Sequence, residues 1–109
     1  MIKFLVIYHM SEAAVAKHKA MSPEDTKTMV APWMAWKDRC GDGLVDMGAG
    51  VGRQHVVSNS GSVEKSDDVG GYSFLQAENL DGAKALLANH PMLFDNDGST
   101  ISLYEVKSM

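Results

Sequence analysis

Asp46 is the side chain of this 109-residue chain best placed to do chemistry. It stands in Gly43-Leu-Val-Asp46-Met-Gly48, an apolar run that reads as a strand. A carboxylate on a buried strand face loses hydration, holds its proton more readily, and can act as a general acid or base. It can equally be a structural partner of Arg53, of Lys3 or of a backbone donor across a dimer. His9, at the end of the first strand, is the candidate helper, because an imidazole can both give and take a proton. Alternation puts His9 on the face opposite Tyr8, so a hydrogen-bonded loop histidine is its other reading. Tyr8, Trp33, Trp36, Tyr72 and Phe74 are candidates for the wall of a ligand pocket, since rings with polar handles suit small-molecule sites. Trp33 and Trp36 also fit plain core packing, because their spacing is that of a helix face.

The other reactive side chains read as structural. His90 falls on an apolar helix face near the negative end of the helix and reads as a satisfied residue. His18 and His55 read as surface residues. The four histidines lack metal-ligand spacing and no Cys/His cluster exists, so no metal is expected. Cys40 lies on the apolar face at a helix C-terminus, a setting that raises a thiol pKa, and reads as core. Gly48-Ala-Gly-Val-Gly52 has the wrong spacing for a dinucleotide loop and precedes no helix. Asp95-Asn-Asp-Gly98 reads as a turn; its twelfth position as a calcium loop is Val106, where glutamate is required. No cofactor is expected.

The elements that must position these groups follow in order. Ile2–Tyr8 is β-branched and aromatic, a buried strand. Ser11 can cap a short helix to Ala20. Ser22-Pro23-Glu24-Asp25 is a strong helix start, with a cap, a proline suited to the first turn and acids at the positive dipole end. That helix runs to about Arg39, with Met29, Trp33, Trp36 and Cys40 on one face and Gly41 as its cap. Pro32 inside it predicts a kink near Thr28–Ala31 or a break. Leu44–Met47 is a strand, Arg53–Ser58 an extension of it, and Asn59-Ser-Gly-Ser62 a turn. Ser66–Asp68 is a polar loop. Gly71–Ala77 is a two-faced strand. Asn79 caps a second helix that Pro91 stops, and Ile101–Val106 is the last strand.

This order, β-α-β-(hairpin)-β-α-β, predicts one α+β domain over 1–109. It is ferredoxin-like, an antiparallel sheet with helices on one face. Alternation suggests that Leu5, Ile7, Val45, Leu75 and Ala77 lie under the helices. Phe4, Val6, Tyr8, Leu44, Asp46, Tyr72, Phe74 and Gln76 would then form the open face. An open apolar face calls for a cover, so a face-to-face homodimer, a two-chain α/β barrel, is expected. The eight methionines suit an adaptable apolar cavity or a loosely specified core.

Composition narrows the partners. A net charge of −4 argues against nucleic acid, whose binders carry basic patches. No run reaches the roughly 18 apolar residues of a membrane span. Met1–Tyr8 is too short for a signal sequence and is interrupted by Lys3. With one cysteine no internal disulfide can form, and a reducing cytoplasm is the expected compartment.

The run from Val69-Gly-Gly-Tyr-Ser-Phe-Leu-Gln-Ala to Asn79-Leu-Asp-Gly-Ala-Lys-Ala-Leu-Leu-Ala-Asn-His-Pro91 resembles the second half of the YCII-related family, near its DGPF branch. The likeness lies in a glycine-led strand followed by a capped helix ending in His-Pro, and the opening strand and the Asp46 strand also fit. It implies a dimeric ferredoxin-like barrel with a cavity in each subunit. A His–Asp acid/base pair has been proposed for the YCII type, and some relatives are small-molecule lyases or dehalogenating enzymes. Here no histidine stands in Ala31–Trp33, where the YCII type carries one, and only Gly61 remains of the DGPF segment. Two functions follow as expectations. One is binding of a small apolar or aromatic molecule, with Asp46 and His9 extending it to cofactor-free lyase, isomerase or hydrolase chemistry. The other is a non-catalytic ligand-binding or regulatory role.

Overall fold

The structure, a computed structural model, describes residues 1–94 and 98–107. Of the turn expected at Asp95–Gly98, residues 95–97 lie outside the described residues. The first strand, β1, spans Ile2–His9, followed by helices α1 (Glu12–Lys19) and α2 (Pro23–Cys40). A single 3-10 turn, Gly41–Gly43, leads into β2 (Leu44–Gly50), then β3 (Gln54–Ser58) and β4 (Gly61–Lys65). The chain continues through β5 (Val69–Ala77), α3 (Leu80–Leu87), α4 (Pro91–Phe94) and β6 (Thr100–Glu105). The fold is α+β, with a four-stranded antiparallel sheet in the order β2-β5-β1-β6. That arrangement is compatible with a ferredoxin-like fold.

The helix starts are chemically explicit. Ser11 Oγ accepts the Ala14 N–H at the head of α1. Ser22 and Asp25 form a reciprocal capping box at the head of α2, and Asn79 Oδ1 accepts the Gly82 N–H at the head of α3. Gly41, at φ +53°, ends α2. Pro32 does not break α2, which runs as one element through it. Proline lacks an N–H, so the Thr28 carbonyl simply goes without that donor. Pro91 opens a further short helix rather than only ending α3. Gln54–Ser58 is not an extension of β2: it pairs with β4 alone in a separate two-stranded hairpin.

The face assignment by alternation needs correction. Cross-strand neighbours share a face, and the register sets Phe4 opposite Leu75 and Val6 opposite Ser73. Phe4, Val6 and Tyr8 therefore lie under the helices with Leu75 and Ala77, packed against Trp36, Cys40, Ala83 and Leu87. Leu5 and Ile7 take the open face, opposite Phe74 and Tyr72. Alternation fixes the two faces within one strand but not the phase between strands. On β2, Leu44 opposes Leu75 and packs on the core, whereas Asp46 opposes Phe74. Irregularities before and after Asp46 change the phase within that strand.

Candidate functional site

Two grooves meet where α2 and α4 cross the end of the sheet. A cavity of about 300 Å³ is lined by Tyr8, Trp33, Met10, Met29, Met47 and Met92, with the Gly48–Gly50 and Gly70–Tyr72 backbones as its floor. It joins a wider cleft of about 900 Å³ between α1 and α2, sharing Met10, His18, Met29, Trp33 and Met92. Thioethers and rings make this wall apolar and adaptable.

The floor exists because β2 is bulged. Between Asp46 and Ala49 the strand carries one residue more than β5 opposite it. Asp46 Oδ1 accepts the Gly48 N–H at 2.8 Å and holds that irregularity. Gly48 takes φ +73°, and a Cβ there would lie 1.8 Å from the Tyr72 carbonyl oxygen, so only glycine fits. Ser73 Oγ donates to the Met47 carbonyl at 2.7 Å, closing the backbone group that the bulge frees.

Behind the cavity runs a buried hydrogen-bond chain. The Met92 N–H donates to His90 Nδ1 at 3.0 Å. A neutral imidazole has one donor and one acceptor nitrogen, so this bond places the proton on Nε2. Nε2–H then donates to the Tyr8 hydroxyl at 3.2 Å, Tyr8 O–H donates to Ser73 Oγ at 2.7 Å, and Ser73 donates to Met47. Every donor points the same way, from α4 across the sheet to the bulge. The His90 ring centroid lies 4.4 Å from that of Trp36, 4.6 Å from Trp33 and 4.9 Å from Tyr8. His90 and Ser73 are fully buried. Burial, with Arg39 adding to it, lowers the His90 pKa to about 4. Burial pushes Tyr8 up to about 12 against the opposing bond to Ser73. Burial likewise raises the Cys40 thiol, with Arg39 opposing, and its S–H meets the Leu86 carbonyl that also accepts Trp36 Nε1–H.

The sequence candidates fall in different places. Tyr8, Trp33 and Tyr72 line the cavity, whereas Trp36 lies behind Trp33 in the core. Phe74 lies on the open face, its ring 6.1 Å from that of Tyr72 and 4.7 Å beneath Lys3 Nζ. Asp46 is exposed in the protomer, on the open side of the sheet, and its carboxylate accepts the Gly48 N–H. His9 bonds Asp68 at 2.8 Å and Ser102 at 2.7 Å. No hydrogen bond joins His9 to Asp46. Sequence reading missed Ser73 and the role of His90. The spacing Tyr72-Ser73-Phe74, a small polar residue between rings on an apolar strand, was the available signal. Among the described residues no group of three His, Cys, Asp or Glu side chains lies close enough to hold a metal, and no helix is long and apolar enough to cross a membrane. No protein-family model matches the chain, and no curated protein matches it.

Proposed function

We propose that the protein binds a small apolar or aromatic molecule in the methionine-lined cavity beside Tyr8 and Trp33. The observation that carries this reading is the wall itself: two aromatic rings and four methionines around about 300 Å³, a volume suited to a small ligand. The polar atoms behind it are already satisfied, since the Tyr8 hydroxyl serves both His90 and Ser73. Asp46 shapes the floor from the far side of the sheet, which favours binding over an Asp46-driven lyase, isomerase or hydrolase reaction. The YCII-like pattern of Val69–Pro91 belongs to the same proposal.

The protein works as a homodimer in this reading, two sheets face to face in a ferredoxin-like α/β barrel. Support comes from the open face, where Asp46, Phe74, Leu5 and Tyr104 form one cross-strand row and Ala49, Tyr72, Ile7 and Ser102 the next. Leu5, Ile7, Tyr72 and Phe74 are only half-buried in the protomer. A contiguous apolar strip of that kind is rarely left bare.

The test uses N-phenyl-1-naphthylamine, a neutral probe that fluoresces in apolar surroundings. Saturable binding with energy transfer from tryptophan is expected, and Met29→Lys, which sets a charge in the wall, weakens it at least about tenfold. Absence of saturable binding, or binding indifferent to Met29→Lys, refutes the cavity as the site. Sedimentation showing a monomer at micromolar concentration refutes the barrel.

A further inference from the structure

The open face carries a second constellation, separate from the cavity. His9 Nδ1 lies 2.8 Å from Asp68 Oδ1, and His9 Nε2 lies 2.7 Å from Ser102 Oγ. An ionised carboxylate can only accept, so Nδ1 carries the proton and donates it to Asp68. Nε2 is then a bare lone pair, and the Ser102 hydroxyl is the donor aimed at it. This is the tautomer a general base needs: the carboxylate fixes it and the serine faces the free nitrogen.

The backbone holds the three groups in place. The β1–β5 ladder shifts register between Tyr8 and His9, so His9 faces Val69 instead of Gly70. Bulges re-aim side chains in this way next to functional sites. Gly70 accommodates Met10, whose Sδ would lie 2.5 Å from a Cβ there. Met10 N–H donates to the Asp68 carbonyl at 2.7 Å, and Asp67 Oδ1 accepts the Val69 N–H at 3.1 Å. The loop is thereby tied to β1 where it presents Asp68 and turns into β5. Ser102 stands on the edge strand β6, opposite Ile7. In the protomer the His9 and Asp68 side chains are 23% and 61% exposed, open enough for a reagent to arrive from solvent. Ile7, with Tyr72 beyond it in the same row, gives an apolar floor beside the hydroxyl.

We propose that Asp68, His9 and Ser102 form an esterase-type nucleophile that accepts the acyl group of small apolar carboxylic esters. Ser102 Oγ attacks the ester carbonyl carbon while His9 Nε2 takes the hydroxyl proton. The carbonyl reforms, the C–O bond to the leaving group breaks with its electron pair, and His9 returns the proton to the departing oxygen. Water then attacks the Ser102 ester, giving His9 a proton that passes to Ser102 Oγ as the carboxylic acid leaves. Asp68 is a positioning residue: it touches no reacting atom and acts by holding the imidazole. Activation here is of the nucleophile, so aryl esters with good leaving groups are the favoured substrates. This site is separate from the cavity but shares the open face with the proposed dimer, so a reagent reaches Ser102 in the protomer or where the partner sheet leaves the His9 end of that face uncovered.

The test treats the full chain with a fluorophosphonate and maps the adduct by mass spectrometry. One adduct, on Ser102, is expected, together with a burst of 4-nitrophenolate from 4-nitrophenyl butyrate close to one equivalent. Ser102→Ala removes both. His9→Gln slows labelling at least about a hundredfold, the lower range for a positioned general base. Asp68→Asn slows it at least about tenfold, and Asp68→Glu restores most of the rate, which a merely structural carboxylate would not do. No adduct, an adduct elsewhere, or equal labelling rates in the wild type and His9→Gln overturns the proposal. The mapped position of the wild-type adduct decides the matter even if a variant fails to fold.

Discussion

Acidification should destabilise this protein through one residue, His90. Its imidazole is fully buried, and the Met92 N–H occupies the nitrogen that a second proton would need. Burial sets its folded pKa at about 4, against 6.5 for an ordinary histidine. The sign follows directly. A base whose pKa is lowered by folding binds its proton more tightly in the unfolded chain. Stability is therefore full above about pH 6.5 and falls as the pH drops toward 4. Each pH unit in that window costs at most about 1.4 kcal/mol, so the loss by pH 4 is about 3 kcal/mol. For a domain of this size each kcal/mol lowers Tm by roughly 4–8 °C. The assay is urea unfolding of the wild type and His90→Gln from pH 7 to pH 4.5. Subtracting the variant isolates the contribution of His90. The difference should shrink steadily as the pH falls below 6. A difference that stays flat, or a His90 ring signal titrating above pH 6 by NMR, would refute the buried neutral imidazole.

Three further outcomes follow from the same geometry. Gly48→Ala should cost more than about 2 kcal/mol in urea unfolding, since its Cβ would collide with the Tyr72 carbonyl at a left-handed φ. In alkali the Tyr8 phenol, held up at about 12, should ionise later than an ordinary tyrosine, as a late step in absorbance at 295 nm that Tyr8→Phe removes. Its raised pKa also means that stability above pH 10 is lost progressively, because the unfolded chain gives up the phenolic proton first. Asp46→Asn, which keeps an acceptor for the Gly48 N–H, should change stability little, whereas Asp46→Ala should cost about 1 kcal/mol; a larger loss in Asp46→Asn than in Asp46→Ala would show that the charge itself matters.

Much of the fold was legible because its signals are local. Ser11, Ser22 and Asn79 cap the helices they were expected to cap, and the β-branched run at Ile2 is an inner strand of the sheet. The order of elements gave the α+β class. What failed depended on partners distant in sequence. The side of the sheet taken by Phe4, Val6 and Tyr8 is set by register against β5, some 65 residues away, and no alternation within β1 contains it. The same distance hid the chemistry. His9, Asp68 and Ser102 come from three separate segments, and His90 meets Tyr8 across 82 positions. Asp46 was noticed as a carboxylate among apolar residues, but the bulge it holds depends on Gly48 and on the missing step in β5.

The β3–β4 hairpin has a consequence of another kind. Its two strands pair with each other and with no strand of the main sheet, and nearly every residue in them is exposed. Val56, Val57 and Val63, the exposed hydrophobic side chains along it, pack under no helix. An arm of this sort lengthens or shortens without moving a core atom, and each doubling of its loop costs only about 0.6 kcal/mol in closure entropy. The turn at Asn59–Gly61, with Gly61 at φ +130°, is thus the point of this chain where a foreign peptide can be grafted and displayed while cavity, sheet and buried hydrogen-bond chain stay as they are.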